Sequence, residues 1–201
     1  MRKGERTRRA IIERSAPVFN TKGYFGTSMN DLVRETGLEK GGIYNHFGGK
    51  EELALAAFEY AVGVMERRYA AAMKGKDGAL EKLFAVMYEM AGIVEDPPVA
   101  GGCPVLNSAV ESTDANPALK ERAREFANGW LRLVGSLVKE GISTGEFRPD
   151  ADPRKTASIV VSTLEGAVML SRLHEDPSHM RRAVEHLEEY LGSLTNEEVT
   201  E

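Results

Sequence analysis

The sequence predicts an all-α protein of about nine helices, and three observations carry that expectation. Apolar residues recur at three- and four-residue spacing from end to end. Period-two alternation of β-branched residues is absent, and glycine or proline punctuates the chain at helical intervals. With 201 residues, 42% of them apolar, the chain can bury a core as one large domain or as a small domain plus a medium one.

The first helix is expected from about Glu5 to Lys22, with Ile12, Ala16 and Phe19 on one stripe and Gly23 as its stop. Pro17 within it lacks an amide hydrogen and crowds the carbonyl of Glu13, which predicts a kink or a loosened turn. Thr27 and Ser28 open a short second helix in which Ser28 and Asp31 have capping-box spacing; Met29, Leu32 and Val33 face inward and Gly37 ends it. A third begins near Lys40 and runs to Phe47. Gly48-Gly49 separates it from a long helix over about Lys50 to Lys74.

After a Gly75 to Gly78 turn, a helix through Leu80, Phe84, Met87 and Met90 is followed by a loop from Glu95 to Gly102, then a helix from about Pro104 to Ser112. Asn116-Pro117 opens a long helix to Glu140, and the turn-forming residues of Gly141 to Asp152 read as a loop. Asp152-Pro153 starts a helix to about Leu173, and Pro177 starts the last, to about Leu194, with proline in the first turn each time. The Asn196 to Glu201 tail is polar and expected to fray.

The overall net charge of -5 conceals a split. Residues 1 to 50 hold ten Lys/Arg against five Asp/Glu, a net of +5, so the remainder carries -10. A basic amino end, with Arg2, Lys3, Arg6, Arg8 and Arg9 as an arm, suits a polyanion, and the acidic remainder suits a different task. No run of eighteen apolar residues appears, and Met1 to Arg6 is charged where a secretory signal needs an apolar segment, so no membrane association and a cytoplasmic location are expected.

Two short helices joined by a glycine-containing turn and preceded by a longer helix have the layout of a helix-turn-helix. A helix that enters the major groove must bring its amino end close to the bases, where bulky side chains would hold the backbone away. Gly41 and Gly42 permit that approach; each would cost about 1 kcal/mol in an ordinary helix interior, and less at an amino end. Ile43 and Phe47, four apart, can anchor the helix to Leu32 and Leu53. Tyr44 and His46 can donate to phosphate oxygens, Asn45 can read a base edge or a phosphate, and Lys50 at the next helix start is placed for another backbone contact.

Three stretches carry a family resemblance: Thr27-Ser28-Met29-Asn30-Asp31-Leu32-Val33; Gly37-Leu38-Glu39-Lys40-Gly41-Gly42-Ile43-Tyr44-Asn45-His46-Phe47; and Lys50-Glu51-Glu52-Leu53. Over roughly residues 5 to 55 the chain resembles the DNA-binding domain of tetracycline-repressor-like (TetR/AcrR) transcriptional regulators. The resemblance implies phosphate contacts for Tyr44, His46 and Lys50 and base reading by Lys40, Gly41, Gly42 and Asn45, with Thr27 and Ser28 also at the DNA. Glu39 stands where the family more often has a small polar residue, and Gly42 where it often has Thr or Ala; both departures bear on the operator sequence and not on the binding mode.

The same resemblance implies a DNA-binding domain over residues 1–52 and a variable ligand-binding and dimerisation domain over 53–201. Its partners would be a double-stranded DNA operator, a small apolar or amphipathic effector and a second copy of the chain. Ala157 to Met169 is apolar on more than one face, so it is either fully buried or shared with a partner. Ser158, Val161, Ser162 and Glu165 with Leu187 and Leu191 of the last helix are the candidate dimer residues. Pocket candidates are Met65, Tyr69, Met87, Tyr88, Met90, Cys103, Phe126, Trp130 and Met169, residue types that fill cores as readily as they line sites.

Other chemistry finds little support. A single cysteine excludes an internal disulfide and a Cys-x-x-Cys motif. Cys103, near a helix amino end, reads either as a small packed residue or as a sensor of oxidants or electrophiles. His179 and His186 lack the His-Glu-x-x-His spacing of a zinc site, and no nucleophile-base setting can be assigned around His46 or Cys103, so no metal, no cofactor and no enzyme activity are expected. The reading reached is a ligand-responsive dimeric repressor. A ligand-binding or electrophile-sensing dimer using Cys103, or an all-helical enzyme, is the alternative.

Overall fold

A computed structural model describes residues 2–111 and 116–196. Among these residues there are nine α-helices and, apart from one isolated bridge between Phe147 and Thr195, no β-structure. The expectations for Ser112 and for the tail beyond Asn196 lie outside the described residues.

The chain divides into two compact units: residues 1–66 with 97–126, and residues 67–96 with 127–201. In the first unit, α1 (Lys3–Gly26) buries Ile11, Ser15, Ala16 and Phe19, a stripe centred one residue before Ile12. Helical dihedrals break at Gly23 (φ 75°, ψ 170°) and not at Pro17, which α1 carries inside it. A glycine adopts this positive φ without a Cβ clash, whereas the lost hydrogen bond and the crowding at Pro17 are absorbed with helical dihedrals retained. The short piece after the break, Tyr24 to Gly26, leads into α2 (Met29–Thr36) and α3 (Lys40–Tyr44).

Ile11, Phe19, Leu32, Ile43, Phe47 and Leu53 form one core, with Ala54, Ala57 and Ala61 of α4 (Lys50–Met73). Alanines at these positions let the neighbouring helices approach α4 closely. The loop residue Val99 joins the same core, and α6 (Pro104–Glu111) packs on α1.

In the second unit, α5 (Ala79–Gly92), α8 (Pro153–His174) and α9 (Ser178–Gly192) pack on one another. Their core includes Leu83, Val86, Met87, Leu164, Val168, Leu187 and Leu191. The long α7 (Pro117–Thr144) continues past Glu140, because Gly141 ends nothing: its missing side chain makes room for the fully buried Phe147 ring. The helix stops instead at Gly145, whose φ of 80° is left-handed. Glu146 then accepts the backbone N–H groups of Ala79 (2.6 Å) and Leu80 (3.1 Å), capping the amino end of α5 from a remote part of the chain.

Candidate nucleic-acid interface

The first unit builds its helix-turn-helix from local signals. Ser28 at the N-cap of α2 has extended backbone; its Oγ accepts the Asp31 N–H at 3.2 Å and the Asp31 carboxylate accepts the Ser28 N–H at 2.9 Å. The same carboxylate accepts Lys22 Nζ at 2.6 Å and Arg34 Nη2 at 2.8 Å. The Lys22 ammonium, then the Ser28 hydroxyl and N–H, hold the Asp31 carboxyl well below the usual carboxylate range. Gly37 (φ 70°) closes α2 by donating to the Val33 carbonyl at 2.9 Å, and Arg14 from α1 donates to the Thr36 carbonyl at 2.9 Å, tying the turn to the first helix.

The second helix of the pair is shorter than expected. It spans Lys40–Tyr44, and Asn45 to Phe47 continue as a turn closed by His46 and Phe47 N–H groups on the Ile43 carbonyl. Ile43 and Phe47 are buried in the core with Leu32 and Leu53, as their spacing predicts. Their burial turns Lys40, Gly41, Tyr44 and Asn45 outward, all exposed, with Gly42 and His46 half-buried beside them. A Cβ placed on Gly41 would meet nothing within 4 Å, so the glycine leaves an open notch on this surface. Lys40 Nζ lies 6.0 Å from the Tyr44 ring centre, and Arg8 packs over the Phe47 ring at 4.6 Å while reaching Glu52 at 3.4 Å, which brings the basic arm to the same neighbourhood.

Three of the expected contact residues are occupied by the fold. Thr27 is buried, and its hydroxyl donates to the Gly23 carbonyl at 2.6 Å. Ser28 is exposed, but its hydroxyl donates to Asp31 at 2.7 Å. Lys50 Nζ donates to the carbonyls of Tyr24 (2.7 Å) and Thr27 (2.9 Å) and sits 4.3 Å from the Tyr24 ring centre. Burial, and then the Glu51 charge, push the Tyr24 phenol up from its ordinary range.

The pocket candidates divide between the units. In the first, Met65 and Cys103 are buried and Phe126 meets Phe58 edge-on at 5.6 Å. The Cys103 thiol is covered, and its Sγ accepts the Leu106 N–H at 3.4 Å, a capping role that favours the packed reading over the sensor. In the second, Tyr69, Met87, Met90 and Trp130 are buried, with the Tyr69 and Trp130 rings 6.4 Å apart. Trp130 Nε1–H meets no acceptor among the described residues. Tyr88 and Met169 face outward, at 48% and 51% exposure, because the faces of α5 and α8 that pack inward are those of Met87 and Val168.

Among the described residues, four hollows are lined by none of the expected pocket residues. The first unit has a cavity of about 30 Å³ between α1, α4 and α6 and a groove of about 320 Å³ lined by Arg6, Ile11, Arg14, Thr36 and Leu38. The second has a groove of about 630 Å³ between α7 and α8, and one of about 310 Å³ against α9.

Of the candidate dimer residues, Ser158 and Ser162 are exposed and Val161 and Glu165 half-buried on α8. Leu187 and Leu191 are fully buried within the chain itself, because α9 turns its apolar stripe toward its own core. On these two helices the exposed large apolar residues are Met169, Leu170 and Leu173 of α8; Phe25, Val110, Tyr88 and Leu131 are exposed on other elements. His174 and His179 lie with rings 5.2 Å apart, and no cluster of metal-ligating residues occurs among the described residues.

Comparison with known proteins agrees with this geometry. The family described as bacterial regulatory proteins, tetR family, matches residues 11–57, and the tetracyclin repressor-like C-terminal domain matches residues 79–187. The solved structure of a TetR transcriptional regulator from Chloroflexus aurantiacus J-10-FL is 42% identical with a TM-score of 0.93, covering 97% of this chain and 98% of that one. A TetR-family regulator from Cytophaga hutchinsonii is 35% identical with a TM-score of 0.92, covering 98% and 99%. The HTH-type transcriptional regulator LmrA of Bacillus subtilis (strain 168) is 26% identical over 166 residues, which is 82% of this chain and 86% of LmrA.

Proposed function

The chain belongs to the TetR family of DNA-binding transcription regulators, not enzymes, and on that premise we propose that it is a dimeric, effector-released repressor that reads DNA with the exposed face of α3. The observation that carries this reading is the division of α3 itself. Ile43 and Phe47 are buried, which leaves Lys40, Gly41, Tyr44 and Asn45 outward around a notch where no side chain stands. A notch of bare backbone lets a short helix approach base edges, while a phenol and an imidazole at its margin meet phosphates. Asn45 is assigned to base reading, and Tyr44 and His46 to the sugar-phosphate backbone.

Residues 1–52 supply the DNA contacts in this reading and residues 53–201 the effector and dimer functions, in the cytoplasm. The outward apolar residues of α8 favour a partner helix there. Two copies related by a two-fold axis would present their α3 helices to major-groove faces about 34 to 36 Å apart, or a multiple of that, on a near-palindromic operator. An effector that binds better to a different spacing shifts the population away from the DNA-bound form; a coupling of roughly 1 to 3 kcal/mol is typical.

The test is binding to mixed-sequence duplex DNA across a salt series. The expected result is log affinity falling linearly with log salt concentration; His46→Ala should weaken every sequence alike, whereas Asn45→Ala should change the preference between sequences. A protein that binds no duplex at low salt would overturn the reading.

A further inference from the structure

Two residues of opposite charge, far apart in sequence, grip the short piece of α1 that follows the Gly23 break and leads into α2. At the Gly23 break the N–H groups of Tyr24 and Phe25 lose their helical partners, and both donate to the Glu111 carboxylate at the end of α6, at 2.7 and 2.8 Å. From another element, the Lys50 ammonium takes the carbonyls of Tyr24 and Thr27. Tyr24 is therefore held at both ends of its backbone, its N–H by an anion and its C=O by a cation. Such charge-assisted bonds are the stronger kind.

The grip is built into the helices on either side. Asn107 and Glu111, four apart, share a face of α6 and meet Asn20 and Tyr24, four apart on α1. Asn107 Nδ2 donates to the Asn20 carbonyl and side-chain oxygen, each at 3.0 Å, and buried Asn20 donates to the Ala100 and Gly102 carbonyls at 3.0 and 2.9 Å. Gly23 also makes the seat of the carboxylate. A Cβ there would stand 2.5 Å from both Glu111 oxygens. The gripped segment runs directly into Ser28, the N-cap of α2, so its backbone sets the direction in which α2 and α3 leave α1.

We propose that Glu111 and Lys50 are positioning residues for DNA binding, which hold residues 23–27 so that α3 meets the duplex at the productive angle. This rests on the DNA-binding reading of α3. For Lys50 it adds, through two of the three ammonium N–H groups, a contact inside the protein to the phosphate contact implied by family resemblance. For Glu111 it brings a residue of α6 into the DNA-binding machinery without touching DNA.

The sign of one substitution separates positioning from plain electrostatics. Glu111→Gln removes a negative charge, which by charge alone strengthens binding to a polyanion; loss of the grip weakens it. The experiment measures binding of full-length wild type, Glu111→Gln, Gly23→Ala and the double variant to mixed-sequence duplex DNA, with amide exchange at Tyr24 and Phe25 in the free proteins. Expected are exchange faster by roughly tenfold or more in each variant, as for loss of a charge-assisted bond, and affinity lower by about tenfold. The double variant should be no worse than either single one, since both break the same contact. Circular dichroism checks that helix content is retained, and Glu111→Gln, nearly isosteric, keeps the test independent of the strain in Gly23→Ala.

Unchanged protection of Tyr24 and Phe25 in Glu111→Gln, or fast exchange with affinity equal to or above wild type, would overturn the proposal while leaving the DNA-binding reading standing. A wild type that binds no duplex overturns both.

Discussion

Ser28 and Asp31 cap each other: the Ser28 Oγ accepts the Asp31 N–H at 3.2 Å, and the Asp31 carboxylate accepts the Ser28 N–H at 2.9 Å. This pair starts α2, the first helix of the helix-turn-helix. Ser28→Ala should lower stability by about 1 kcal/mol, the usual effect of losing such a cap. For a chain of this size that is a drop of about 3 °C in thermal midpoint, measured by calorimetry.

The depressed Asp31 carboxyl gives the cap a pH dependence of known sign. A carboxylate whose folded pKa lies below its unfolded value of about 3.9 contributes stability fully above that value, and the contribution is withdrawn as pH falls toward the folded one. Asp31→Asn should therefore be less stable than wild type at neutral pH, and the gap should narrow on acidification below about pH 4. Urea denaturation at several pH values measures it; a gap that widens in acid would contradict the assignment.

A substitution at Gly41 should separate folding from DNA binding. With open space around its Cβ position, Gly41→Leu should fold with stability unchanged or raised by up to about 1 kcal/mol, because a good helix former replaces glycine. The same side chain fills the notch and holds the backbone off the groove, so DNA affinity should fall at least about tenfold, a discrimination of the size one good base contact supplies. Thermal melts and fluorescence anisotropy on one preparation check both halves.

The outward face of α8 and the inward face of α9 should respond differently to substitution. Met169→Glu with Leu173→Glu changes exposed residues, at 51% and 73%, and should yield a folded monomer in sedimentation analysis. Leu187→Ala, at a fully buried position, should instead cost about 2 to 5 kcal/mol of stability. Unchanged self-association in the double α8 variant would place the dimer contact elsewhere.

The elements that local chemistry specifies were legible in the sequence. The Ser28 and Asp31 spacing, Gly37 after the last periodic residue, and proline opening α6, α7 and α8 each act within a few residues and place boundaries closely. The burial of Ile43 and Phe47 beneath α3 followed from their spacing for the same reason.

What escaped depends on distant partners. Gly141 reads as a stop until Phe147 is folded back against it, and Leu187 and Leu191 read as partner-facing until α5 and α8 are packed on α9. Periodicity shows that a residue will be buried, not against what. The Glu111 grip joins positions 86 and 87 residues apart, and no spacing rule reaches that far. Its one local trace is the pair Asn107 and Glu111 at helical separation on a polar face of a short helix.

The decisive measurement is a structure of the protein bound to duplex DNA. Expected are Gly41 and Gly42 main chain against base edges in the major groove, Tyr44 Oη and a His46 ring nitrogen about 3 Å from phosphate oxygens, and Lys50 still on the Tyr24 and Thr27 carbonyls. DNA seated on another face, with Tyr44 and His46 turned to solvent, would contradict the DNA-binding reading of α3.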